Sequence, residues 1–469
     1  MKLHRNAAVL VATVFALCIV VSASGRASNP EPAAASGAET TVEAPTGTLA
    51  HALQTALAHH PKISLATSGT QAAEAGHRAA RAGYFPKISL SHKILRSNNP
   101  VFVFGSLLEQ GRFGVEHFDP AFLNAPDPMT NRRTEALASL PVFDQLFTAT
   151  RVAESQGAQN KARFLEDWVK QEIFLGVIRS YYGVMVARER VHVAEDAVKE
   201  TEAQVRRIQH FFENGQVVRS DLLAAQVQHL EFSQQLVEAQ GQYHTAQVAF
   251  QTALGRPSPP YPEPTHKMPS LLVPLHPLAQ YTADALAFRP DVAMVREDLH
   301  VARLRLREAR ARYLPRVDAF STYGVSGPDW ENGSSDYTLG LALSWDLYEG
   351  RRAPGIDQAL ALVTAAEAQV QEAEDQVRLQ VVEAYENLKA ARDRLSLSQQ
   401  AVAQAREALR IVKDRYAEGL TTITEVLRAE TTYRKAQWMD LGARYDHVVR
   451  YAELLFRTGR LQDAAPFEG

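Results

Sequence analysis

The sequence predicts an α+β membrane protein made of two copies of one unit: a helix, two strands and a long helical hairpin. Three observations carry that prediction. Two stretches, Phe212 to Gln226 and Tyr416 to Glu430, read alike as a helix end, a glycine turn and the start of a second helix. The long helices entering those turns share one heptad register. The segments ahead of those helices alternate large apolar with small or polar residues, at the period of a strand.

The N-terminus comes first. Lys2, His4 and Arg5 precede an apolar run from Ala7 to Val21 and the small-residue stretch Ser22 to Ala27. Residues 1–27 are expected to be a secretory signal peptide, cut after Ala23 or Ala27. A single membrane anchor is the alternative, but the run is short for a span. Cys18, the one cysteine, lies in that run behind Leu17 and not behind a small residue, which argues against lipid attachment. The mature chain then has no disulfide, and a large exported chain with a full core does not need one. With 469 residues, 22% of them charged, and a formal net charge of −3, the composition is that of a folded chain without a basic nucleic-acid footprint.

Residues 28–46 are rich in Pro, Ala, Gly, Ser and Glu and are expected to form a flexible lead-in. The first repeat spans residues 47–254. Thr48 to His59 reads as a short helix, and Pro61 opens another running to about Gly83, where Tyr84-Phe85-Pro86 ends it. Strands follow over Ile88 to Ile94 and Thr134 to Phe143, with Asn99 to Asn131 between them as a long loop at the outer end. A helix from about Leu146 to Glu213 and its return, Ser220 to Leu254, complete the unit. A proline-rich linker over residues 255–277 cannot be helical. The second repeat, residues 278–460, has the same layout, from Arg289-Pro290 to Tyr313-Leu314-Pro315 and onward, and residues 461–469 form a tail.

The heptads make the duplication concrete. Val177, Val184, Val191, Val198 and Val205 match Val381, Leu388, Leu395, Val402 and Leu409. Three residues after each stands a mostly small side chain, among them Ala187, Ala194 and Thr201 against Ala391, Ser398 and Ala405. Large and small residues alternating along a seam give a closely packed left-handed coiled coil. At the turns, Gly215 and Gly419 suit the left-handed residue that closes a helix. Ser220 and Thr424 are expected N-caps, and Asp221 and Glu425 put an acid in the first turn, where the helix dipole favours it.

The clearest strand places Tyr337, Leu339, Leu341, Leu343 and Trp345 on one face and Thr338, Gly340, Ala342 and Ser344 on the other. A lipid-facing barrel strand needs such a face, and a soluble sandwich strand alternates in the same way. Beyond the signal segment, no stretch reaches the ~18 consecutive apolar residues of a membrane helix. If the chain spans a membrane it must use strands closed into a barrel. Each repeat supplies two strands, and the smallest bacterial barrels have about eight, so closure requires several chains.

These features together resemble the outer-membrane efflux protein family, the TolC-like channel-tunnels, over essentially the whole mature chain. The carriers of the resemblance are the twofold plan, the Tyr-Phe-Pro and Tyr-Leu-Pro junctions and the tip Arg415-Tyr416-Ala417-Glu418-Gly419. The resemblance implies a homotrimer whose twelve strands form one outer-membrane barrel, above a periplasmic α-helical tunnel that closes at the hairpin tips. It also implies a periplasmic adaptor (a membrane fusion protein) and an inner-membrane transporter of RND, ABC or MFS type as partners. No catalysis, cofactor or metal is implied. Asp221 and Tyr416 match tip positions that hold the closed state, and Glu425 matches an acid lining the constriction. Two positions depart from the pattern: Thr421 stands where an arginine follows the glycine, and Arg428 where a second acidic ring would lie. Arg219 is a candidate replacement for that arginine. Gly215, Gln216, Val217, Gly419, Leu420 and Thr421 resemble the tips that meet adaptor hairpins.

An enzyme reading finds no phosphate loop, serine elbow or His-Glu-x-x-His, and His59-His60 lacks a ligand partner at helical spacing. His192, His229 and His244 read as surface or seam residues. A soluble periplasmic coiled-coil adaptor or scaffold is the stronger rival, although adaptors usually carry one hairpin and this chain has two.

Overall fold

The computed structural model describes residues 47–256, 263–264, 275–462 and 465–467. The expected signal peptide, the lead-in, most of the linker and part of the tail lie outside the described residues. The first repeat contains α1 (Leu49–His59), α2 (Pro61–Arg81), β1 (Lys87–Ser97), α3 (Pro100–Glu109), α4 (Pro120–Asn124), β2 (Met129–Phe143), α5 (Phe147–Glu213) and α6 (Arg219–Ala253). The second contains α7 (Leu278–Phe288), α8 (Pro290–Ala311), β3 (Arg316–Gly327), β4 (Ser334–Ser344), α9 (Arg352–Ala417) and α10 (Ile423–Arg457). Asn99 to Asn131, expected to be a loop, instead contains helices α3 and α4. Asn99 and Asp119 cap them, accepting from the backbone N–H groups of Phe102 and Ala121 at 3.2 and 3.0 Å, and Pro100 and Pro120 open them.

The long helices α5 and α9 have 67 and 66 residues and so run about 100 Å, at about 1.5 Å per residue. Their returns, α6 and α10, have 35 residues each. The missing length is supplied end to end, as the residue count requires. The C-terminus of α6 meets the α1–α2 junction, and that of α10 meets the α7–α8 junction. Gly255 and Gly459 make these joints, with φ of +72° and +71°. A Cβ on Gly255 would lie 2.6 Å from the His60 Cα, and one on Gly459 would lie 2.8 Å from the Phe288 backbone. Gly459→Ala should therefore lower thermal stability by about 2 kcal/mol, from left-handed strain plus a backbone clash. A melting curve matching the parent protein would show that the joint yields without cost.

The heptad seam is buried around the middle of the long helices and half-buried at Val191, Val198, Val205 and Val402. Val177, Val184, Val381, Leu388 and Leu395 are at most 5% exposed, and Ala194, Thr201 and Ala391 sit inside with them. The largest core lies midway along the helices, where Ile178, Tyr181 and Val184 of α5 pack against α1, Phe250 and Leu254 of the first return, and Val448 and Ala452 of the second. Tyr182 donates its hydroxyl to the Phe467 carbonyl at 3.1 Å, so the tail docks on this belt.

The four strands form one antiparallel sheet in the order β1-β2-β3-β4. Its register pairs Leu90 with Ala136, Ala136 with Tyr323, and Tyr323 with Tyr337. One face therefore carries Ile88, Leu90, Ala136, Ala138, Ala319, Leu339, Leu341 and Leu343, and the other carries Ser89, Ser91, Asn131, Arg133, Glu135, Asp318, Thr322, Asp336 and Thr338. Trp345 falls just past the end of β4, where its indole donates to the Tyr313 carbonyl at 3.0 Å.

Candidate functional site: sheet and hairpin tips

The sheet is the first half of the site. Leu90, Leu339, Leu341 and Leu343 are each at least 65% exposed in the single chain. Leaving leucines to water gives up about 2 kcal/mol of burial apiece, so this face is built for a nonaqueous neighbour. Exposed aromatics flank it: Tyr84, Phe85, Tyr313 and Trp345 at the helix end, Trp330 and Tyr337 at the far end. Membrane strands carry aromatics in the same pattern at their two interfaces. On the opposite face, Arg133 pairs bidentately with Asp336 at 2.7 and 2.9 Å and with Glu135 at 3.0 Å. Strands β1 and β4 are both edges.

The tips are the second half. Each long helix ends in a Schellman turn. Gly215 has φ +71° and Gly419 φ +73°; Gln216 N–H donates to the Phe211 carbonyl and Leu420 N–H to the Arg415 carbonyl, both at 2.8 Å. The return helices then begin two residues earlier than the sequence suggested. Val218 and Thr422 hold the N-cap positions that Ser220 and Thr424 were expected to hold, and neither makes a side-chain capping bond. The chain can start sooner because Asp221 N–H and Glu425 N–H bond the Val218 and Thr422 carbonyls at 3.0 and 3.2 Å. Asp221 and Glu425 do lie in the first turns.

The two tips pack on each other through Ile208, Leu222, Ala225, Ile423 and Val426, with Val217 and Tyr416 at the margin. Burial raises the Tyr416 hydroxyl above its ordinary pKa; the nearby Asp221 carboxylate pushes the same way and Arg207 opposes it. The structure thus brings Tyr416 of α9 close to Asp221 of α6, across two hairpins. Arg219, Glu425 and Arg428 are exposed, as are Gly215, Gln216, Gly419 and Leu420, while Thr421 is half-buried. Among the described residues, the side chains of Asp221, Arg219, Glu425 and Arg428 make no ion pair.

One cluster escaped the sequence reading. Further along the hairpins, Glu200 of α5 accepts from Lys413 of α9 and from Arg434 of α10. Glu430, one turn before Arg434, is 0% exposed, and neither carboxylate oxygen has a hydrogen-bond donor. Burial, then the Glu200 charge, pushes its pKa up to about 7, against the pull of Lys413 and Arg434. Burial also works against ionisation of Glu200, but the two cations hold that carboxyl below its ordinary value. Gln228 of α6 closes this layer, donating to the Leu427 carbonyl at 3.1 Å and to Thr431 at 3.2 Å. A lone Glu in a helix otherwise rich in charge gives no sequence signal of such burial. No group of three or more His, Cys, Asp and Glu suited to a metal occurs among the described residues.

A sheet with one lipid-type face and one polar face, carried on helical hairpins about 100 Å long, defines a membrane channel with an attached helical duct. No helix among the described residues is long and apolar enough to cross a membrane. The family model for outer membrane efflux proteins matches residues 52–256 and 282–460, and the chain belongs to that family. It is 26% identical over 339 residues to the alkaline protease secretion protein AprF of Pseudomonas aeruginosa, covering 69% of each chain. It is 23% identical to the outer membrane efflux protein BepC of Brucella suis, covering 88% of this chain and 86% of that one. Its fold matches the open state of the Neisseria gonorrhoeae MtrE outer membrane channel with a TM-score of 0.74 at 15% identity, over 89% and 90% of the two chains. The protein is an outer-membrane channel component, and the soluble adaptor reading is set aside.

Proposed function

We propose that three copies of this chain close a twelve-stranded barrel in the outer membrane above a periplasmic helical tunnel. The duct passes substrate from an inner-membrane pump and its periplasmic adaptor to the exterior and performs no chemistry of its own. The observation that carries this reading is the open sheet. Edges β1 and β4 expose unpaired backbone groups on either side of a leucine-rich face, and in lipid each unpaired group costs several kcal/mol. An even number of antiparallel strands lets β4 of one copy continue into β1 of the next without reversing the alternation. The tips, with exposed Gly215, Gln216, Gly419 and Leu420, suit docking to adaptor hairpins, and Asp221, Tyr416, Glu425, Arg219 and Arg428 suit a gate at the constriction.

The relatives named above comprise a secretion protein and an efflux protein, so the duct is generic and selection lies with the pump. Fractionation tests the reading: the protein should migrate as a heat-modifiable trimer from the outer membrane. A water-soluble monomer would end it. Leu341→Arg, at the middle of the apolar face of β4, should cost about 2–4 kcal/mol per subunit and deplete the trimer from the outer membrane. Arg at Ser91, on the polar face, should be tolerated; equal loss from both would remove the assignment of faces.

A further inference from the structure

The segment between β1 and β2 leaves the sheet at the end far from the hairpins, where Ser97 pairs with Met129. It then turns back over the polar face of the sheet. Glu109, the last residue of α3, accepts from the Asn131 amide at 2.9 Å and from Ser326 at 3.4 Å. Gln110 donates to the Thr130 carbonyl and to the Asn131 side chain, both at 3.0 Å. Gly111, at φ +67°, rests against Ser334. Asn131, Ser326 and Ser334 all belong to the face that carries Arg133 and Asp336, the face a barrel turns inward. Gln110, Asn131 and Ser326 are at most 6% exposed, Glu109 itself is exposed at the rim, and together their bonds hold α3 in place.

The other side of α3 is largely exposed. Val103 and Leu107 face inward with the network, whereas Val101, Phe104 and Leu108 form a stripe at 81%, 36% and 52% exposure. Phe104 is braced edge-on by Phe113 at 5.1 Å, which in turn meets Phe118 at 5.1 Å. An apolar stripe fixed against the inner wall of a channel and pointing away from that wall has water or a second copy of itself as its neighbour.

We propose that α3 is a lid at the outer mouth: three copies converge on the pore axis through Val101, Phe104 and Leu108 and narrow the exit with an apolar constriction. The proposal rests on the trimeric barrel proposed above. Its occupant is a second and third copy of the same helix, because only a symmetric partner presents the same stripe at the same depth on the axis. A ring of apolar side chains resists ion passage by excluding water, so the mouth is a barrier separate from the hairpin tips.

The test uses the full-length protein in planar bilayers and on gels. Val101→Asp and Leu108→Asp, which place like charges where the copies meet, should each raise single-channel conductance severalfold without loss of the trimer. Leu108→Cys should give disulfide-linked dimers on oxidation, since Cys18 is the only native cysteine and lies in the expected signal segment. Ser91→Cys, on the wall of the barrel away from the mouth, should not. Trimeric channels with parental conductance in both aspartate variants and no Leu108→Cys crosslink would overturn the lid. Failure of the unmodified protein to form trimeric channels would overturn the proposed function instead.

Discussion

Asp221→Ala and Tyr416→Phe should each increase the conductance of single channels in planar bilayers. In the folded chain these two residues come from different hairpins and meet at the tip cluster, where the field of Asp221 reaches the partly buried Tyr416 hydroxyl. Neither side chain makes a hydrogen bond within the described residues of one subunit. Their bonding capacity is therefore free for neighbouring subunits, on the reading that the tips close together. A hydrogen bond to a charged group contributes about 1.5–3 kcal/mol, and about 1.4 kcal/mol is a tenfold change in an equilibrium. In the proposed trimer, losing one such bond in each copy moves a closed tip decisively toward open. Arg219→Ala gives the complementary result: a matching rise assigns Arg219 the role of the arginine that Thr421 replaces. Unchanged conductance in the Asp221 and Tyr416 variants would take both residues out of the gate.

Glu430→Gln should stabilise the helical hairpins at pH 8 and leave them nearly unchanged at pH 5. Glu430 has a folded-state pKa of about 7, raised by burial and by Glu200 from an ordinary carboxylate value. An acid whose pKa is raised on folding contributes stability fully present below its unfolded value and lost as pH rises through the folded one. The window therefore runs from about pH 4.5 to about pH 7. Because Glu430 is wholly buried, the loss at pH 8 is on the order of 2–3 kcal/mol. Glutamine has the shape of the neutral acid and can donate to Glu200 as a protonated Glu430 would. Melting curves at the two pH values check this; a variant that is less stable at pH 8 would show that the ionised carboxylate is bound by Lys413 and Arg434 more strongly than burial opposes it.

Part of this molecule could be read from its letters. The heptads of α5 and α9 and the glycines that stop them at Gly215 and Gly419 act locally, through side-chain period and backbone conformation, and the structure follows them closely. The β4 faces were legible because Leu339, Leu341 and Leu343 alternate with small residues. Strand β2 was not, since Ala136 and Ala138 are small residues on its lipid-type face while Leu137 points the other way, and only pairing with β1 and β3 assigns the sides. The N-cap positions shifted because backbone bonds at Val218 and Thr422 started the helices before Ser220 and Thr424 could cap them.

The sequence by itself determined the duplicated plan, the helix lengths and the four strands, because period, proline and glycine act over a few residues at a time. Tertiary structure alone decided that α3 folds back over the polar face of the sheet and that Glu430 is sealed beside Glu200. Both outcomes depend on side chains such as Glu109 and Ser326, or Glu200 and Arg434, that lie hundreds of positions apart and acquire their environment only when the two repeats pack together.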